Sequence, residues 1–390
     1  MDQLTGYLRP HGLTEEPTDW LTRYLHKSIP LSMQRGFRDK GMLRFVADKS
    51  ISLLALTAFP LYYSFLSLGL KQRTHNYGLG IKQKLHIIDL SSMEDTSSSS
   101  FEIEKQSRSL IFVHGGAWGS GQPWMYRLSA VTIAKCVECD EVILVEYPTY
   151  PDASIQQQVQ CLILAIQYSK SVSNSREYIL CGHSSGANIS LLALLNSLDL
   201  RLKLTDYVIL LSGVYDIGMH YHWEKERGLH IISPMSAAAT MAESSFANSS
   251  PLHVIDRYPD HPLNRKSNKK NEKDVVTDVD SSIHIKSRTS KMDRIDRDSP
   301  FEQWFPNCLI LHGIEDKTVP VSSSVDMASA LLRKGAQIYT SYPHSLGHGD
   351  PITQTLYFDV ESITALHLGR WWDKMHGRDG FPKHGSKSKL

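Results

Sequence analysis

Charge of one sign is what this chain most lacks: 42 Lys and Arg stand against 41 Asp and Glu, a net +1 over 390 residues. Nucleic-acid binding normally leaves a basic excess or a basic stripe, so that class is set aside. Cysteine is also scarce. The five, Cys136, Cys139, Cys161, Cys181 and Cys308, are odd in number and scattered, which excludes a disulfide framework. The last three lie in apolar runs, where free thiols pack as small hydrophobes. Cys136 and Cys139 form a lone CxxC at what reads as the end of a helix, with no second pair or histidine cluster to complete a zinc site. No metal or cofactor is expected.

Long apolar runs are missing too, with one exception. Ile51 to Leu70, ISLLALTAFPLYYSFLSLGL, holds no charge and has about the length that crosses a hydrocarbon core of ~30 Å. Lys49 precedes it, and Lys71 with Arg73 follows. It starts too far in for an ordinary cleaved signal peptide. The expectation is a membrane anchor or a shallow interfacial helix; the alternative is a buried helix or hydrophobic cap, because Pro60 would kink the run and serines dilute it. Basic residues flank both ends, so orientation is not readable.

What the chain does have, after a mixed region at 1–50 and this apolar stretch, is alternation of strands and helices from about residue 80 to 375. Short apolar strands are expected at Lys84 to Leu90, Ser109 to Val113, Glu141 to Glu146, Tyr178 to Cys181, Tyr207 to Leu211, Cys308 to Leu311 and Gln337 to Tyr342. Helical spacing marks Val159 to Ser169, Gly186 to Leu198, Val325 to Arg333 and Asp359 to Met375. That order implies an α/β fold, a mostly parallel sheet with helices on both faces. Residues 214–256 carry aromatic and apolar side chains suited to a cap. Residues 257–298 are rich in Lys, Arg, Asp, Asn and Ser and are expected to be an unstructured surface insertion, since they bury too little to offset ordering. Residues 376–390 form a polar tail.

Three motifs stand at strand ends. Gly182-His-Ser-Ser-Gly186 is a G-x-S-x-G between an apolar strand and an apolar helix, with Ser184 at its centre. A sharp turn there exposes the Ser184 hydroxyl and aims the Ser185 amide and the helix N-terminus at the same place. His114-Gly115-Gly116-Ala117-Trp118 follows another strand and is the HGG type of oxyanion loop. Its Gly115 and Gly116 amides join Ser185 as expected donors. His312-Gly-Ile-Glu-Asp-Lys-Thr-Val-Pro320 follows a third strand and offers Asp316, in preference to Glu315, to hold a histidine. The base then comes from Pro343-His-Ser-Leu-Gly-His-Gly-Asp350. His348, between two glycines, is preferred, with His344 as the alternative. His183 is turned away from its neighbour and is assigned to packing or pocket lining. Trp118 and Tyr215, with Trp124 and Trp223, are candidate pocket walls, although aromatics at such positions are often core.

On Phe112-Val-His-Gly-Gly-Ala-Trp118, Gly182-His-Ser-Ser-Gly-Ala187, Leu211-Ser-Gly-Val-Tyr-Asp216 and His312-Gly-x-x-Asp-x-x-Val-Pro320, the chain resembles the α/β-hydrolase superfamily. Within it, the likeness is to esterases with an HGG loop, of the hormone-sensitive-lipase and carboxylesterase type, and among these to the isoprenylcysteine α-carbonyl methylesterases. The resemblance implies a serine ester hydrolase acting on a small-molecule or prenylated-peptide ester, bound to a membrane of the endoplasmic reticulum or Golgi. A soluble cytoplasmic protein is the alternative. Glu146-Tyr-Pro-Thr-Tyr-Pro151 departs from the Asp-Tyr-Arg usual in such esterases, and residues 257–298 are extra. Kynurenine formamidases are similar through Ser212-Gly-Val-Tyr-Asp216, which leaves acyl-amide hydrolysis as an alternative. A catalytically silent receptor or scaffold on the same fold is the alternative from another class.

Overall fold

The structure, a computed structural model, describes residues 70–90, 107–230, 233–240, 243–261, 300–356 and 361–378. Eight strands form one sheet: β1 (Gln72–Asn76), β2 (Lys84–Asp89), β3 (Arg108–Val113), β4 (Glu141–Glu146), β5 (Glu177–His183), β6 (Tyr207–Leu211), β7 (Asn307–Leu311) and β8 (Ile338–Ser341). Their order is β1-β2-β4-β3-β5-β6-β7-β8. The β1–β2 and β2–β4 pairings are antiparallel, and every pairing from β4 through β8 is parallel.

The parallel strands read as continuous apolar runs because both faces are covered. Side chains alternate across a strand, so successive residues enter different cores. Ile111, Val113, Ile143, Val145, Leu180, Val208 and Leu210 pack on one side under α2 (Ile155–Val172), α3 (Ser185–Asp199) and α5 (Ser322–Arg333). Leu110, Phe112, Val142, Leu144, Ile179, Ile209 and Leu211 pack on the other under α1 (Arg127–Cys136) and α6 (Ile363–Met375), whose Trp371 and Trp372 fill that layer. The remaining longer helix, α4 (Ile217–Glu226), follows β6 and is capped by Asp216, which accepts from the Met219 amide. A capping box starts α2: the Ser154 hydroxyl accepts from the Gln157 amide while the Gln157 side chain takes the Ser154 amide.

Three expectations meet the structure at their edges. The apolar stretch 51–70 lies outside the described residues except for Leu70, which is non-helical, buried in the α1 layer, and bonded through its carbonyl to the Arg127 guanidinium. Among the described residues no helix is long and apolar enough to cross a membrane.

The expected insertion begins later than its polar composition suggested. Residues 257–261 are packed: the Tyr258 hydroxyl donates to the Leu195 carbonyl, and Lys334 donates to the Tyr258 carbonyl and pairs with Asp260. His261 then pairs with Glu302 at 2.8 Å, and Tyr258 stacks edge-on against Phe301, so the chain on either side of residues 262–299 comes together. Residues 262–298 themselves lie outside the described residues, as do 379–390 of the expected tail. Of that tail, His376 packs on the Trp372 ring and Arg378 pairs with Glu138.

Candidate active site

The C-terminal ends of β5, β6 and β7 each continue one residue into the loop while still bonded to the next strand. Ser184 donates its amide to Leu211 O, Ser212 to Leu311 O and His312 to Ser341 O. The crevice beyond the carboxyl ends of parallel strands is where such sheets place their sites. All three motifs arrive there.

Ser184 has φ 54° and ψ −122°, a backbone state that costs a non-glycine residue about 1–3 kcal/mol. Its neighbours over-determine it. The helix that follows is pressed so close to the HGG loop that a Cβ on Gly186 would lie 2.3 Å from Val113 O. One on Gly115 would lie 2.8 Å from His183 O and 3.0 Å from Ser184 Cβ. The glycines are therefore required by the close approach of two backbones.

The Ser184 Oγ lies 2.9 Å from His348 Nε2, and His348 Nδ1 lies 2.7 Å from Asp316 Oδ2. A carboxylate only accepts, so His348 Nδ1 carries the proton and Nε2 presents a lone pair to the serine hydroxyl. Asp316 also accepts from the Thr318 and Val319 amides through Oδ1, at 2.8 and 2.9 Å. Burial alone would raise its carboxyl, but hydrogen bonds from His312 and His348 and the Val319 amide hold it well below the usual carboxylate range. The anion is kept. Glu315 and His344, the alternatives by sequence, are both exposed.

The loop at 114–118 wraps against this line. Ala117 and Trp118 both have positive φ, 51° and 60°, and Gly116 O accepts from the Gly119 and Ser120 amides. Tyr147 donates to the His114 carbonyl at 2.6 Å and stacks on its ring at 4.3 Å, so the departure at Glu146-Tyr-Pro supports the loop. Ser185 opens α3, where a first-turn amide has no intrahelical acceptor.

Two of the candidate pocket walls are core residues. Trp118 and Tyr215 are 2% and 0% exposed, Trp118 because its indole donates to Asn188 within α3 and its carbonyl is taken by Gln158. His183 is also buried, with its ring 5.1 Å from that of His348. Trp124 is 43% exposed, and Trp223 lines a cavity of about 370 Å³ with Asp216, Met219, Leu252, Pro320 and Asp326. That cavity adjoins the loop of Asp316 through Pro320, and Ser184 and His348 are not among its walls. Among the described residues no cluster of three His, Cys, Asp or Glu side chains suits a metal ion.

Several contributors were not singled out by sequence. His312 is fully buried, places Nε2 3.0 Å from Asp316 Oδ2, and is held through Nδ1 by Ser324 at 2.7 Å. Its signal was present as the first residue of the H-G-x-x-D spacing. Asn188 ties Trp118 to the carbonyls of Val214 and Ser249. Only the fold brings these together.

Residues 110–264 match the model of a family described as alpha/beta hydrolase fold. The chain has the α/β-hydrolase fold. Among solved structures, the chain is similar to carboxyl esterase 2 from the mycorrhizal fungus Tuber melanosporum, with 15% identity, 79% of this chain and 86% of that chain covered, and a TM-score of 0.53. It is also similar to a thermostable esterase from Pseudomonas putida (13% identity, 80% and 84% covered, TM-score 0.53). An esterase/lipase from an uncultured bacterium is a third such structure (11% identity, 79% and 85% covered, TM-score 0.52). Identities this low speak to the fold alone. No curated protein matches the chain in sequence.

Two histidines near the site are held neutral. Burial pushes His114 down to about 4; burial, with a smaller push from His348, takes His183 down to about 3. In the unfolded chain each takes up a proton near pH 6.5, so the unfolded state binds more protons below that pH and native stability falls as pH drops from 6.5 toward 4. Together the loss is on the order of several kcal/mol, at 1.36 kcal/mol per unit of pKa. The urea midpoint is expected to decline across that window, with a shallower slope in His183→Gln; a flat profile to pH 4 would contradict neutral burial.

Proposed function

We propose that the protein is a serine hydrolase of carboxylic esters. The observation that supports this reading most is the unbroken hydrogen-bonded line from Asp316 through His348 to Ser184, set beside a glycine loop and a helix N-terminus. The α/β-hydrolase family match and the esterases sharing the fold agree with it.

In the mechanism, Ser184 Oγ attacks the ester carbonyl as its proton passes to His348 Nε2, and Asp316 stabilises the imidazolium that forms. The Gly115, Gly116 and Ser185 amides bind the tetrahedral oxyanion, each donor contributing about 3 kcal/mol where charge develops. His348 returns the proton to the departing alkoxide, leaving an acyl-serine. Water then attacks, deprotonated by the same nitrogen, and releases the acid.

Within this class, the motifs point to a lipophilic methyl ester such as a prenylcysteine methyl ester. The apolar stretch ahead of β1 fits attachment to the membrane that carries such a substrate. The Ser212-Gly-Val-Tyr-Asp216 stretch favours a second reading, hydrolysis of N-formylkynurenine.

Wild type is expected to turn over a short-chain p-nitrophenyl ester and to prefer the prenylcysteine methyl ester, with Ser184→Ala and His348→Ala each lowering kcat about ten-thousand-fold or more. His344→Ala leaves kcat nearly unchanged. A preference for N-formylkynurenine replaces the substrate reading, and turnover that survives Ser184→Ala rejects the mechanism. For attachment, the full chain is expected to sediment with membranes and a chain lacking residues 1–66, which retains Leu70, to stay in the supernatant; equal distribution of the two rules out an anchor in that stretch.

A further inference from the structure

His183 precedes the proposed nucleophile, yet its side chain is spent on the proposed base. Its Nε2 lies 3.0 Å from the backbone carbonyl of His348, and the two rings stand 5.1 Å apart. A carbonyl only accepts, so Nε2 carries the proton; the ring is neutral, so Nδ1 is left with a lone pair. The Tyr126 hydroxyl lies 3.5 Å from that nitrogen, a long contact that favours the same tautomer. Burial holds the Tyr126 phenol up at about 12, opposed by a smaller pull from the Gly115 backbone, so it stays protonated beside the HGG loop.

We infer that His183 is a positioning residue: its Nε2–H clamps the His348 carbonyl, and with Tyr126 it ties the base loop to the oxyanion loop. This rests on the ester-hydrolase reading. The loop that carries His348 is held on either side of it: Leu346 is buried, the Gly347 amide donates to the Asp350 carboxylate, the Gly347 carbonyl accepts from the Asp350 amide, and the Gly349 carbonyl accepts from the Ile352 and Thr353 amides. His348 must keep Nδ1 on Asp316 and Nε2 on Ser184 at once. The neighbouring bonds fix Gly347 and Gly349, and the His183 bond holds the carbonyl of His348 itself, the peptide group that sets where its ring points. A misplacement of about 1 Å at a reacting group costs on the order of 100-fold in rate.

The test compares His183→Ala, His183→Asn and His183→Gln in the full chain. Gln places an amide N–H where Nε2 stood; Asn is too short to reach the His348 carbonyl. On a p-nitrophenyl ester, Ala and Asn are expected to lower kcat roughly 10- to 100-fold with little change in KM, and Gln to regain most of the loss. The second readout needs no substrate: the low-field proton resonance of His348 Nδ1–H is expected to broaden or vanish in Ala and Asn and to persist in Gln. If wild type hydrolyses no ester, the functional reading fails while the resonance still decides the positioning role. Equal behaviour of Asn and Gln, or an unchanged kcat and resonance in Ala, would overturn the inference.

Discussion

The close approach of the turn after β5 to the loop after β3 is the constraint on which the site depends. Two backbones lie so near each other that a single methyl group on Gly115 or Gly186 would strike a carbonyl oxygen or the serine itself. Ser184 is thereby confined to a backbone state it would otherwise leave, at about 1–3 kcal/mol. The return is geometric. Its hydroxyl reaches His348, with the Gly115 backbone and the first turn of α3 packed beside it.

The sheet makes that approach stable. Each central strand is buried on both faces, so β3, β5, β6 and β7 cannot slide without exposing one of two cores. Their last residues remain laddered to one another, which carries register into the loops that bear Ser184 and Asp316. Asp316 is then fixed by four donors, His312, His348 and the amides of Thr318 and Val319. The carboxylate is held rigid, and in the proposed reaction preorganised charge of this kind needs no rearrangement.

Much of this was legible in the sequence because its signals are local. Apolar strands ending in Gly-rich motifs set the parallel sheet and its crevice, and the spacing of H-G-x-x-D put Asp316 at a strand end. Between His344 and His348 only the loop's path decides. What stayed hidden depends on distance along the chain. Asn188 and Trp118 meet across the α3 layer, and His183 meets a carbonyl more than 150 residues on. Trp118 and Tyr215 illustrate the reverse failure: an aromatic beside a motif has the same sequence signature whether it lines a pocket or fills a core. Residues 257–261 show that polar composition alone misses a segment tied down by specific bonds to Lys334 and Leu195.

If Ser184 is activated by His348, it should react with a fluorophosphonate as no other serine in the chain does. Peptide mass spectrometry of the labelled native protein is expected to find the adduct on Ser184, and none on the adjacent Ser185. Absence of an adduct, or its appearance on another serine, would contradict the assignment of Ser184 as the nucleophile.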